Sequence, residues 1–164
     1  MTEQQRHTVV RAFPAFDVRR YPDSVCVQVQ IDDDFAHAVH RGARLLRRYL
    51  APATPVLLER TGESSYLVSV TLPDPDPETA ATAADDAVPV AVRVREVPGH
   101  EAAVLRFTGG LSITRFTERG RDLLLNLRSG GLEPVGVVYF ARYDLARRPG
   151  FLARNEALVW VTSA

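Results

Sequence analysis

Ala141-Arg-Tyr-Asp-Leu-Ala-Arg-Arg-Pro-Gly-Phe-Leu-Ala-Arg-Asn-Glu-Ala-Leu-Val159 is the stretch on which the reading of the chain turns. The strand-forming run Val135 to Tyr143 leads into it, Pro149-Gly150 breaks it, and the alternating run Glu156-Ala-Leu-Val-Trp-Val161 closes it. Alternation, a Pro-Gly break and renewed alternation predict a β-hairpin with a long, Arg-rich connection. The period of two also places Glu156, Leu158 and Trp160 on one face of the closing strand.

The same grammar runs backwards through the chain. Residues 1–14 read as a weakly ordered lead-in. Phe16 to Tyr21 and Ser24 to Ile31 alternate on either side of Pro22-Asp23 and predict two antiparallel strands. Asp32-Asp-Asp34 then opens a helix, with carboxylates where unpaired backbone N–H groups favour negative charge. Its apolar stripe is Phe35, Ala38, Val39, Gly42, Leu45, Leu46 and Tyr49, and it should stop near Ala51-Pro52. Pro55 to Glu59 and Ser65 to Leu72 read as two more strands joined by a turn at Thr61-Gly62-Glu63.

From Pro73 the composition shifts to Pro, Ala, Thr and acid, and no basic residue falls between Arg60 and Arg93. Residues 73–89 therefore read as an acidic, Pro-rich linker. After it the order recurs: strand Val90 to Val97, turn Pro98-Gly99, strand Glu101 to Phe107, helix Ser112 to Ser129 stopped by Gly130-Gly131, then the closing hairpin. Val18-Arg-Arg-Tyr-Pro22 and Val94-Arg-Glu-Val-Pro98 share V-R-x-x-P at matching places. The expectation is one α+β domain over 1–164, built from pseudo-repeats at about 16–72 and 90–161. Its eight antiparallel strands would close into a distorted β-barrel with two α-helices packed outside.

Composition narrows the function. The 164 residues are 46% apolar and 24% charged, a globular balance with net charge zero, so no global field draws the chain to nucleic acid or membrane. A polar N-terminus and the lack of any apolar run near membrane-spanning length, about 20 residues, lead to the expectation of a cytoplasmic, non-membrane protein, a monomer or weak oligomer. All twenty basic residues are Arg, whose fork suits carboxylate or phosphate. The single cysteine, Cys26, sits in an alternating strand and reads as a core thiol.

No metal set is expected: His37 and His40 stand three apart without a carboxylate or cysteine at ligand spacing. Nucleophile elbows and Gly-rich phosphate loops are also absent; Phe107-Thr-Gly-Gly-Leu-Ser112 comes closest, and its glycines read either as a tight strand-to-helix turn or as a site where N–H groups receive an anion. His37, Arg41, Arg44 and Arg48 form a basic ridge along the first helix. It is either a solvated face or the rim of an apolar groove, near Leu45, that holds a ligand's carboxylates. Glu156, if it faces a cavity, is a buried acid able to pair with a cationic ligand or act as general acid and base.

Four segments together resemble the SOUL/haem-binding protein family. Phe16-Asp-Val-Arg-Arg-Tyr-Pro22 resembles its opening signature, and Thr54-Pro55-Val56 the end of its M-T-x-P-V motif. Ala103-Val-Leu-Arg-Phe-Thr-Gly109 resembles its V-x-R-F-x-G strand. Ala141-Arg-Tyr-Asp144, Pro149 and Phe151-Leu-Ala-Arg-Asn-Glu156 resemble its closing stretch. The resemblance implies a duplicated β-barrel that binds haem or related tetrapyrroles in an apolar groove beside the first helix, with basic residues there meeting the propionates. It also implies kinship with gyrase-inhibitor-like effector-binding domains, which bind varied small molecules through a pocket carboxylate, some hydrolysing cyclopropane-containing toxins. Two departures matter. Where some members carry a His in R-x-Y, this chain has Arg20, so no axial ligand carries over and His37 or His40 would have to substitute. The loop before the third strand is shortened to Leu50-Ala-Pro-Ala53.

The function expected from these readings is binding of haem, a porphyrin or a similar hydrophobic anion beside the first helix, through His37, Arg41, Arg44, Arg48 and Leu45. The alternative is a small-molecule hydrolase or cyclase using the cavity, with Glu156 as acid and base.

Overall fold

The computed structural model describes residues 7–50, 54–72, 92–143 and 150–162. Its strands are β1 (Thr8–Ala12), β2 (Asp17–Tyr21), β3 (Ser24–Asp32), β4 (Val56–Gly62), β5 (Ser65–Thr71), β6 (Arg93–Val97), β7 (His100–Thr108), β8 (Pro134–Arg142) and β9 (Arg154–Val161). Helix α1 (Phe35–Leu45) lies between β3 and β4, and α2 (Ile113–Ser129) between β7 and β8. The strands form one antiparallel sheet in the order β1-β2-β7-β9-β8-β4-β5-β3-β6.

The expected order of strands and helices from Asp17 onward is present, and the closing hairpin forms as β8 and β9. Three expectations change. The lead-in contains a strand: β1 pairs with β2 although its mostly exposed residues give no apolar alternation. The described strands therefore number nine, not eight. Second, β2 and β3 do not pair with each other. β2 joins β7 of the other repeat, and β6 joins β3, so the repeats exchange their leading strands. The cause is in the turns. A two-residue hairpin needs positive φ at its first central residue, which Pro22 and Pro98, locked near φ −65°, cannot adopt.

Third, the sheet is not closed into a barrel, because no backbone ladder joins its two ends. It is nonetheless curled. β2 and β3 stand near opposite ends of the strand order, yet only Pro22-Asp23 links them, a connection that reaches roughly 10 Å. Gly99 N–H donates to the Asp23 carboxylate, tying the two corner turns together.

Alternation assigns the two faces. Val27, Val29 and Ile31 of β3, Val56 and Leu58 of β4, Val68 and Val70 of β5, and Ala157 and Val159 of β9 bury against both helices. Asp34 caps α1 by accepting from His37 N–H at 3.0 Å, and Ser112 caps α2. α1 ends at Leu45, short of Pro52, and Arg48 falls in the 3-10 turn Arg47–Tyr49 that follows. Phe116 of α2 meets Phe35, Phe107 and Phe140 edge-on at 4.9, 4.9 and 5.3 Å, so the helices share one core. The opposite face buries a smaller cluster of Tyr21, Ala102, Val104, Ala141, Tyr143 and Leu158. The acidic linker lies outside the described residues.

Candidate functional site

The helix-free face of the curled sheet encloses a cavity of about 310 Å³. Every strand of the described sheet except β1 contributes at least one residue to its lining. Its aromatic wall is Tyr21, Tyr139 and Trp160, with His100 between Tyr21 and Trp160. Its apolar lip is Leu57, Leu67, Val135 and Val137, the last two well exposed. Gly136, with φ 83°, makes the bulge between them, a left-handed conformation that side chains other than Gly rarely take.

The polar lining carries both signs of charge, Glu59 from β4 and Arg95 from β6. Gln28 adds a buried Oε1 with no hydrogen-bond partner among the described residues. Cys26 also lines the wall. Burial pushes its thiol up, against the opposing pull of Arg95, so it stays protonated and inert.

Next to this wall lies a buried polar network. Arg19 Nη1 donates to Glu156 Oε2 at 2.8 Å, and Tyr143 Oη donates to Glu156 Oε1 at 2.9 Å. Burial pulls the Arg19 guanidinium down, but the Glu156 carboxylate and Tyr21 outweigh it and hold it above its ordinary value. Burial likewise pushes the Tyr143 phenol up, helped by Glu156, and Tyr21 up to about 12. A second set pins the far end of the hairpin: Arg142 donates to Asn155 Oδ1 at 2.9 Å and to the Gly109 carbonyl, which Asn155 Nδ2 also reaches at 3.1 Å.

The site residues expected from sequence divide between the two faces. Glu156 points to the helix-free face with Leu158 and Trp160, as alternation indicated, but it is engaged by Arg19 and Tyr143 and is not among the cavity-lining residues. His37, Arg41, Arg44 and Arg48 are exposed and Leu45 half-buried, on or just after α1, across the sheet from the cavity. His37 Nδ1 lies 2.6 Å from Asp34 and Arg41 donates to Asp33 at 3.0 Å, so part of the ridge is neutralised by the helix's own cap. Asp33, Asp34 and His37 are also the grouping of potential metal ligands found among the described residues, and capping accounts for them. Sequence reasoning missed His100, Tyr139, Glu59 and Arg95. Alternation could place each on a face, but only the exchange of β2 and β6 brings them to one cavity.

The family model described as SOUL heme-binding protein matches residues 2–161. The chain belongs to the SOUL haem-binding protein family. That membership carries a small-molecule binding role. Among solved structures, the SOUL chain is similar to the EcmrR C-terminal domain, at 8% identity and TM-score 0.65, covering 91% of this chain and 98% of that one. A hydrolase from Listeria innocua aligns at 13% identity and TM-score 0.57, covering 88% and 91%. SAV2435 bound to tetraphenylphosphonium aligns at 12% identity and TM-score 0.53, covering 90% and 94%. At these identities the likeness is one of fold. No curated protein sequence matches the chain.

The SOUL motifs now have a physical reading. Arg19 and Tyr21 of the opening signature, Gly109 of the middle strand, and Arg142, Tyr143, Asn155 and Glu156 of the closing stretch are the members of the two buried networks. Arg20, where some SOUL proteins carry His, instead points outward and donates to Glu101 at 2.8 Å.

Proposed function

We propose that this SOUL protein binds haem or a related porphyrin in the cavity on the helix-free face. The observation that carries this reading is the cavity itself. A flat apolar ring needs an aromatic wall and a greasy lip, and Trp160, Tyr139, Tyr21, Val135 and Val137 supply both. The residues present fit the group: Arg95 on the wall suits a propionate, and His100 offers a ring nitrogen. Bound haem would supply the redox-active or carrier iron, while this chain binds and orients the ring and excludes water from its buried edge.

The competing position for a porphyrin is the basic ridge Arg41, Arg44 and Arg48 with Leu45. Soret titration of the full chain with hemin separates the two. Val137→Glu on the lip should raise the Kd at least about tenfold, or ~1.4 kcal/mol, whereas changing the three arginines to Gln should leave it nearly unaltered. No Soret shift would sink the haem reading, and loss of affinity only in the ridge variant would move the site to α1.

A second reading has a specific observation behind it. Glu59 on the cavity lining favours a hydrophobic cation, and a protein of this fold is bound to tetraphenylphosphonium. The hydrolase or cyclase alternative through Glu156 has less support, since that carboxylate is already held by Arg19 and Tyr143.

A further inference from the structure

The ladder between β4 and β8 stops while both strands still run. It joins Val56 to Arg142, Leu57 to Ala141 and Leu58 to Phe140, whereas β4 continues to Gly62 and β8 reaches back to Pro134. Beyond Leu58 and Phe140 the two strands form no further pairs with each other. On its other side β8 is loose as well. Val135 pairs with Trp160 and Tyr139 with Leu158, so Gly136, Val137 and Val138 together stand opposite Val159 alone. These three residues belong to no ladder on either side.

The split lies over the cavity. Glu59 of β4 and Val135, Gly136, Val137 and Tyr139 of β8 all line it. Thr61 Oγ1 accepts from Gln30 Nε2 at 2.6 Å, and Gln30 shares the cavity face of β3 with Cys26 and Gln28 by alternation. The register already set would bring Tyr139 opposite Glu59 and Val137 opposite Thr61. Closing the split therefore needs no slip of one strand past the other.

What holds it open is local. Gly136 sits at φ 83°, outside the extended region that a ladder requires. A Cβ there would meet nothing within 4 Å, so conformation and not space calls for the glycine. The open lip leaves Val135 46% and Val137 59% exposed, apolar area that covering a guest would remove from water. Charge, a common protection of unpaired strand edges, is absent from Pro134 to Phe140.

We propose that residues 134–138 form a lip that closes the cavity over a bound guest by extending the β4–β8 ladder in its present register, with Gly136 as the hinge. The proposal rests on the cavity being the binding site, not on which guest it takes. Closure turns Gly136 to a negative φ, lays Val137 across from Thr61 and shields the guest from water.

Disulfide trapping in the full chain tests it. Ladder partners have Cα atoms about 4.5–5.5 Å apart, within disulfide reach, whereas diagonal neighbours lie at about 7–8 Å, beyond it. Thr61→Cys with Val137→Cys should therefore oxidise at least about tenfold faster than Glu59→Cys with Val137→Cys. The buried Cys26 stays in place, and peptide mass mapping identifies the bond. Adding Gly136→Ala, which disfavours the positive φ, should raise the in-register rate by a further factor of roughly five to thirty. Saturating tetraphenylphosphonium should raise it too. Once the disulfide has formed in the absence of that cation, its association should slow, and reduction should restore it. If circular dichroism shows that the double variant does not fold, amide hydrogen exchange on the unaltered chain replaces it, with protection at Val137 and Val138 expected to rise when the cation is added.

Equal rates for the two cysteine pairs would mark a loose strand without a register and overturn the lip. So would the absence of any disulfide, an unaltered rate with Gly136→Ala, or unaltered exchange at Val137 and Val138. Failure of tetraphenylphosphonium to bind the unaltered chain would instead remove the cation reading, while trapping without the cation still decides the lip.

Discussion

Glu156 shows how one side chain can be placed by its neighbours and explained only by a distant partner. The alternation Glu156, Leu158, Trp160 puts it on the inner face, where it is only 5% exposed. Arg19, which neutralises it, lies 137 positions upstream. Nothing local announces the pair, because β2 comes beside β7, the strand that also pairs with β9, only through the exchange of leading strands. Breaking such a pair strands a buried charge. Glu156→Gln should therefore destabilise the fold by about 3–5 kcal/mol in urea unfolding, and the double change Arg19→Met, Glu156→Leu should recover most of that loss. If the double change were as damaging as the single one, packing rather than charge would be the cause. His100 makes a separate prediction. Burial lowers its folded pKa below the ordinary 6.5, with the Pro98 hydrogen bond acting in the opposite direction. The folded state thus binds fewer protons than the unfolded state just below that value. The contribution is fully present above pH 6.5 and is lost as pH falls through the folded value. Thermal melts from pH 7.5 to 5 should show less acid sensitivity in His100→Gln than in the unaltered chain. His37, raised by its hydrogen bond to Asp34, acts in the opposite sense at higher pH, so an equal slope in both proteins would remove His100 from the account.

At the scale of elements, the two helices carry a repeat that V-R-x-x-P only hints at. Counted from their caps, Asp34 and Ser112, both hold Gly at the eighth following position, within Arg41-Gly-Ala-Arg-Leu-Leu46 and Arg119-Gly-Arg-Asp-Leu-Leu124. The shared R-G-x-x-L-L was readable in the sequence, but recognising it required the caps as a common origin. Its cause is close approach to the sheet. A Cβ on Gly42 would lie 2.6 Å from Val68 Cγ1, while one on Gly120 would lie 3.2 Å from Val138 Cγ1. In a free helix, Gly to Ala gains about 1 kcal/mol. Here the branched Val68 side chain cannot swing clear, so overpacking of about 1–3 kcal/mol should dominate at Gly42. Gly42→Ala is expected to lower the melting temperature, and Gly120→Ala to lower it less or leave it unaltered. A rise at Gly42 would mean that α1 shifts off β5 without cost. The helix boundaries show the opposite balance of legibility. Ser112 and Gly130-Gly131 mark α2 to within a residue, whereas the 3-10 turn Arg47–Tyr49 ends α1 before its apolar stripe does.

For the whole molecule, the α+β class and the order of its elements follow from local pattern, but the curl of the sheet does not, because it depends on which strands the two Pro turns refuse to pair. That curl makes the cavity a joint product of both repeats. β4 of the first supplies Glu59, β6 of the second supplies Arg95, and β8 and β9 supply the aromatic wall between them. Opposite charges on the lining of one cavity give a direct measure of the ligand's sign. A dianionic porphyrin is repelled by Glu59 and attracted by Arg95, and a lipophilic cation experiences the reverse. Both side chains keep contact with solvent, so each charge contributes at most about 1 kcal/mol, roughly fivefold in Kd. Glu59→Gln should therefore tighten hemin and weaken tetraphenylphosphonium, while Arg95→Gln should do the opposite, with both effects shrinking as salt is raised. Direct competition between the two ligands should accompany these shifts, since one cavity of this volume does not hold both. If both ligands bind at once, or if neither charge change alters either affinity, the ligand lies elsewhere on the molecule. The exposed arginines of α1, across the sheet from Glu59 and Arg95, are then the next surface to vary.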